Sequence, residues 1–376
     1  MAKTIFAPTP ARIKAIGIGG GGCNAITRMV RQDIKGVDFI AMNTDAQALS
    51  LAEAPTRIQL GEKLTRGLGV GGDDKTGHKA AEESRQVVAE LVEGADMVFV
   101  SAGMGGGTGT GGIPVVAQIA KESGALTIGV VTKPFGFEGG HRTEVAEEGI
   151  VTLSDKLDTL IIIPNDRLLQ LCDAKTTVDS AFRLADDALK LGVQAISEVV
   201  TVPGLINLDF ADIKSVMKDS GPAWMSVGKG SGQNRAAEAA KAALASPLLD
   251  VAVSGAKGVL FNITGGSSLT LFECNEAAQV ISQAVDPRAN IIFGVVFDPD
   301  MDSEVRITII ATGFISQYGK GAASADELRY LLRSGSDTLD VPSFMRRVPR
   351  HTTSHLTDAV RGRVNVAPQS TKISWQ

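Results

Sequence analysis

Residues 101–114 read SAGMGGGTGTGGIP, and seven of the ten positions from 103 to 112 are glycine. Glycine loses more conformational freedom on folding than any other residue. A merely flexible surface loop would incur that loss for no return. The alternative is backbone that must come very close to something. An apolar run, ADMVFVSA, precedes the loop, and a helical pattern, IPVVAQIAKESG, follows it. The first N–H groups of a helix have no intrahelical partner. Several of them pointing inward form a cradle for an anion. Thr108 and Thr110 add hydroxyl donors, and Pro114 is expected near the helical start, where a missing N–H costs little. The pattern predicts a polyphosphate site.

A second loop strengthens that reading. IKAIGI at 13–18 is followed by four glycines and then CNAITRMV, again strand, loop and helix. By itself GIGGGGCNA resembles a dinucleotide fingerprint, with Asp45 near the end of the next strand placed to grip a ribose. A dinucleotide enzyme does not explain the richer loop at 103–112, and no hydride-transfer acid/base set is evident. Two phosphate loops on neighbouring strands fit a nucleoside triphosphate better. No lysine follows GGGTGTG, so the Walker pattern is absent.

Apolar strands alternate with helical segments as far as DTLIIIPND, which predicts a doubly wound parallel sheet with helices on both faces. A helical run from about Thr177 to Val200 would connect to a smaller α+β region, about 222–314, with a mixed or parallel sheet. The expected organisation is a flexible 1–12, a nucleotide domain over 13–176, a connecting helix over 177–201, a loop and helix over 202–221, a second domain over 222–314, a linker over 315–338, a compact apolar-basic segment at 339–347 and a disordered tail over 348–376.

The chain has 376 residues and 44% hydrophobic residues, enough for a sizeable core. Net charge is −5; the segment from Val341 carries six Arg/Lys against Asp358, so −5 less +5 leaves about −10 before it. That balance argues against nonspecific nucleic-acid binding. Cys23, Cys172 and Cys274 lie too far apart for a metal knuckle or a disulfide framework. His78, His141, His351 and His355 lack metal-site spacing. With no apolar leader and no run of transmembrane length, a soluble intracellular protein is expected.

GGGTGTG at 105–111, together with GGGGCNA at 19–25, KPFGFEGGHR at 133–142, PNDRLL at 164–169, ADDALKLGVQAIS at 185–197 and NLDFADIK at 207–214, resembles the FtsZ family of tubulin-like division GTPases. SPLLD at 246–250 and VRITIIATGF at 305–314 extend the likeness, which resumes at LDVPSFMRR. The resemblance implies a tubulin-like fold that binds GTP and GDP at the N-terminal strand ends. Gly20, Gly21 and Gly22 would touch the phosphates, and Asn24 the base or sugar. Gly71 and Gly72, ahead of a helix from Lys79, would close on the γ-phosphate. Gly106, Gly107, Thr108, Gly109 and Thr110 would cradle the α- and β-phosphates. Glu138 and Arg142 would reach the ribose and phosphate side, and Asn165 and Asp186 would read guanine. A carboxylate can accept both the N1–H and the 2-amino hydrogens of guanine, whereas adenine offers no such pair. From sequence alone Asp186 is equally an exposed helix acid, with Asp179 and Asp187 as similar candidates.

Asp209 and Asp212, three apart, can share a helix face. Either they are a helix cap and a first-turn acid, or, as the resemblance implies, they polarise the attacking water or its cation in the site of the next subunit, with Asn207 positioning the loop. Hydrolysis would then run mainly in a head-to-tail homopolymer that forms the division ring. Mg²⁺ would be coordinated by phosphates, with a possible monovalent cation. The 339–347 segment would engage membrane tethers and division regulators, beneath the inner membrane at mid-cell. His78 and the acidic Asp73–Asp74 pair depart from the family pattern. A nonhydrolysing filament remains a further alternative.

Overall fold

The computed structural model describes residues 11–170, 172–173, 175–201, 209–248 and 255–314. All of them lie within one compact unit, Met1–Gly335. Asn207, the 339–347 segment and the tail lie outside the described residues.

The N-terminal sheet is built from β1 (Ile13–Ile18), β2 (Val37–Asn43), β3 (Thr56–Gln59), β4 (Met97–Gly103), β5 (Leu126–Lys133) and β6 (Thr159–Pro164). Their order across the sheet is β3-β2-β1-β4-β5-β6, and every pairing is parallel. These strands are apolar on both faces because helices cover both. One face, including Ile13, Ala15, Phe99 and Ile128, packs under α1 (Gly19–Arg31), α9 (Val178–Thr201) and α10 (Phe210–Met217). The other, including Ile16, Ile18, Val98 and Val100, packs under α5 (Arg85–Val92), α6 (Gly107–Glu122) and α7 (Gly140–Ser154). Between α1 and α5 run the short helices α2 (Ala46–Ser50) and α3 (Glu62–Thr65) and then α4 (Asp74–Glu83); α8 (Asn165–Leu169) follows β6.

The strand β7 (Gly221–Ser231) joins two sheets. Its first residues pair in parallel with β6, and the rest pair antiparallel with β10 (Glu304–Thr312). Beyond β10 lie β8 (Gly258–Gly265), antiparallel to it, and β9 (Asn290–Phe297), parallel to β8. This second sheet is therefore mixed. The helices α11 (Arg235–Leu244) and α12 (Leu271–Ala284) close its core over Phe261, Ile263, Ile307 and Ile309. The 24-residue α9, about 36 Å long, touches β5 and β6 with one part and β9 with another. Its Val199 would collide with any side chain at Gly294.

Two local expectations are corrected. The helix expected from Lys79 begins at Asp74, because Asp73 caps it by accepting from the amide of Lys75. Pro114 is buried well inside α6, not at its start, since the glycines themselves form the helix's first turns.

Candidate functional site: two open helix ends at the sheet's switch point

The strand order reverses between β1 and β4. In open α/β sheets ligands bind outside the carboxyl ends of the strands at such a point. Both glycine loops lie there, as α1 follows β1 and α6 follows β4. Neither helix has a side-chain cap at its N-terminus, and neither has an acid in its first turn. Each therefore presents amides and the positive end of its dipole unopposed. The two ends converge: a Cβ at Gly19, whose φ is +72°, would lie 2.8 Å from the Gly109 nitrogen. Thr108 is tied across the gap, its hydroxyl 2.6 Å from that of Thr44.

The glycines divide by purpose. Gly20 and Gly106 face open space, so a bound group can approach their backbone. Gly21 lies against Gly103, where a Cβ would come within 3.3 Å of its nitrogen. Gly22 backs onto the Ser101 carbonyl, and Gly109 onto the Gly103 carbonyl, so these two let helix and strand pack closely. Gly107 abuts Gly72 and Asp73, which brings the 70–73 loop onto the start of α6. Gly71 and Gly72 face open space but have φ of +58° and +92°, a backbone that side chains disfavour. Thr110 is buried and its hydroxyl accepts from the Gly105 amide at 2.8 Å, so it braces the turn.

Glu138 also proves to be a brace. One of its oxygens accepts from the Phe135 amide at 2.9 Å, and the other pairs with Arg142 at 2.9 Å. Arg142 is half exposed, and its backbone carbonyl lies against Gly105. The turn carrying Glu138 is anchored to α8 by the Gly136 amide, which donates to Asp166 at 2.8 Å.

At the other end of the site, α9 packs against α1 and α8. Here the three aspartates of α9 separate. Asp179 pairs with Arg183 and Asp187 with Lys190, each within its own helix surface. Asp186 is largely out of water and reaches across to Arg28 of α1 at 3.0 Å. Burial raises its carboxyl to about 6, against the opposing pull of Arg28. That bond engages only Oδ2. Asn165, opening α8, is buried, and its Oδ1 has no hydrogen-bond partner. A buried acceptor of this kind normally has a partner, and a base bearing amino hydrogens would supply one. Asn24 stands exposed on α1.

Phe182 was not anticipated. It is 41% exposed, one helical turn before Asp186, and meets Phe135 edge-on at 5.4 Å. Phe137, more exposed still, stacks on Phe135 at 5.0 Å. Phe137 and Phe182 thus expose aromatic surface around the buried Phe135. An i−4 aromatic beside an acid on a helix was the available signal. Asp45, by contrast, caps α2 by accepting from the amides of Gln47 and Ala48, so the ribose grip of the dinucleotide reading is used locally instead.

Asp209 and Asp212 stand elsewhere. Ser215 of α10 meets Asn290, the first residue of β9; the Val216 carbonyl accepts from Thr312, opposite the first residue of β8; and the Met217 carbonyl accepts from Thr159, the first residue of β6. Because β6, β8 and β9 all run parallel to β1, α10 lies along the N-terminal edge of the sheet. The glycine loops lie along the C-terminal edge, one strand length away, about 20 Å. Asp209 occupies the N-cap position, yet its side chain makes no cap hydrogen bond, and both acids are exposed. Within one chain they do not reach the glycine loops.

Comparison with known proteins agrees with this layout. Residues 12–173 match the Tubulin/FtsZ family GTPase domain, and residues 221–315 match the FtsZ family C-terminal domain. An FtsZ from M. jannaschii, solved as an empty dimer, is 44% identical with a TM-score of 0.79, over 81% of this chain and 89% of that one. CetZ1 from Haloferax volcanii, a GDP-bound monomer, shares the fold at 21% identity and a TM-score of 0.71, over 87% of this chain and 100% of that one. CetZ2 from the same organism, a GTPγS-bound protofilament, does so at 19% and 0.69, over 86% and 98%. The chain belongs to the FtsZ family of tubulin-like proteins and carries its GTPase domain.

Proposed function

We propose that the protein binds GTP between the α1 and α6 N-termini and hydrolyses it to GDP and phosphate at a site that a second copy completes. In this reading the amides around Gly20, Gly21, Gly106 and Gly107 hold the phosphates, with Thr108 beside them. The 70–73 loop closes on the γ-phosphate, and Arg142 faces the phosphate and ribose. Asn165 and Asp186 accept hydrogen bonds from guanine, with Phe182 alongside the ring. Phosphoryl transfer to water depends on positioning and charge control more than on covalent chemistry. The neighbour's Asp209 and Asp212 supply them by orienting the attacking water, and Asn207 belongs to the same loop.

The observation that carries this reading is the separation of the two acids from the glycine loops by a full strand length, on opposite edges of one sheet. A head-to-tail contact joins those edges, and because it is heterologous it propagates as a filament. Among the described residues no three of His, Cys, Asp and Glu gather as a metal site. By resemblance to the family, Mg²⁺ would be held mainly through phosphate oxygens and water, where it would offset their charge.

By resemblance, the filament is the cytoskeletal element of a division ring in the cytoplasm at mid-cell. The 339–347 segment would link it to membrane tethers and regulators. Among the described residues no helix is long and apolar enough to cross a membrane. The test is Asp212→Ala, with GTP binding and phosphate release measured separately. Binding should persist and most turnover should be lost. Full turnover in that variant rejects the shared site, and a wild-type chain that assembles without releasing phosphate would be a nonhydrolysing filament.

A further inference from the structure

The helix that opens at the phosphate cradle ends at a clamp. Lys121, in the last turn of α6, reaches three oxygens at the N-terminal edge of the sheet. Its Nζ donates to the Leu157 carbonyl at 3.1 Å and pairs with Asp158 at 3.5 Å and with Asp219 at 3.2 Å. Asp158 is buried and fixed, since its second oxygen accepts from the Thr127 amide at 2.9 Å. Asp219 is mostly exposed and lies in the turn just after α10, with a φ of +50°. Lys121 thus hooks the exit of α10 to a rigid part of the sheet.

Packing alone does not set α10 at this end. Ile213, Val216 and Met217 bury one side of the helix. On another side a cavity of about 190 Å³ opens between α10 and the 124–126 turn, lined by Lys121, Lys214, Lys218, Asp158 and Asp219. Across that gap the Lys121–Asp219 pair is the charged tie, beside the bond from Thr159 to the Met217 carbonyl and Ser220, whose hydroxyl lies 2.8 Å from that of Thr159. Lys121 foremost, with smaller contributions from a hydrogen bond to Asp158 and from the charge of Lys218, holds the Asp219 carboxyl below its ordinary range.

We propose that Lys121 is a positioning residue for hydrolysis: through Asp219 it fixes where α10, and with it the Asp209–Asp212 face, stands on the edge that the chain lends to the next copy. This rests on the shared-site reading above. Lys121 touches no nucleotide; it acts on the neighbour's reaction through its own chain's α10.

The test uses the full chain with Lys121→Met, Lys121→Arg and Asp219→Asn. Asp219→Asn breaks only the α10 arm of the clamp, at an exposed position that asparagine also tolerates in a left-handed turn, so it decides the matter if Lys121→Met folds poorly. A misplaced group far from the chemistry can cost up to about a hundredfold in rate. Here we expect turnover at saturating GTP to fall about tenfold in Lys121→Met and Asp219→Asn, with GTP affinity and sedimented polymer unchanged and most of the rate kept in Lys121→Arg. Mixing Lys121→Met with Asp212→Ala should give no rescue, because both chains lend an impaired face. Rescue in that mixture, or a loss of GTP affinity, would show Lys121 acting on its own cradle and overturn the proposal. Normal turnover in both clamp variants beside a dead Asp212→Ala would overturn it while sparing the shared site. An active Asp212→Ala would remove the shared site and this proposal together.

Discussion

At the scale of single residues, the proposed guanine end makes the sharpest demands. Asp186 gives up hydration to stand between α1 and α9, and Asn165 holds a buried oxygen without a partner. Hydrogen bonds to a charged group contribute roughly 1.5–3 kcal/mol each, so Asp186→Ala, which removes the acceptor of two, should weaken GTP binding by about 100-fold or more. The preference for GTP over ATP should shrink with it, as competition binding would report. The carboxyl also carries a pH signature. In the proposed complex it can accept both guanine hydrogens at once only when ionised, and burial raises it to about 6. GTP affinity should therefore fall as pH drops through about 6, and Asp186→Asn should flatten that dependence. A profile equally steep in Asp186→Asn would assign the titration to another group.

At the scale of elements, the site depends on two helices whose backbones touch. A Cβ at Gly77 of α4 would strike the Gly107 carbonyl at the start of α6, and one at Gly111 would strike the Asp74 carbonyl. Forcing extra atoms into such a contact costs about 1–3 kcal/mol. Gly77→Ala should lower the thermal midpoint and weaken GTP binding together, since it moves the 70–73 loop away from Gly107. A variant that loses only stability would show that the loop does not close the site. Much of this level was legible in the sequence. Largely apolar runs marked β1, β2, β4, β5 and β6, and the glycines after β1 and β4 marked the two helix starts at the switch point. β3 and β7 escaped notice for physical reasons. TRIQ is a four-residue, partly exposed edge strand with little apolar signal. GPAWMSVGKGS carries proline and three glycines; Gly228 and Gly230 are there because α11 lies directly on the strand. The brace roles of Thr110 and Glu138 were not legible either, since they depend on which neighbour the fold brings within reach.

At the scale of the whole molecule, the decisive fact is topological. One chain carries two uncapped helix ends on the C-terminal edge of its sheet and a pair of exposed acids on the N-terminal edge. No motif states that relation, which follows only from the parallel order of β1, β4, β6 and β8 and the lie of α10. The sequence resemblance implied a shared site, and the sheet supplies a reason for it, as neither edge can serve the other within one copy. The most direct measurement is the GTPase rate per chain against protein concentration, with sedimentation at each point. We expect the rate per chain to be low when dilute and to rise as polymer appears. A rate per chain that stays constant from dilute monomer to dense polymer would contradict a catalytic site built from two copies.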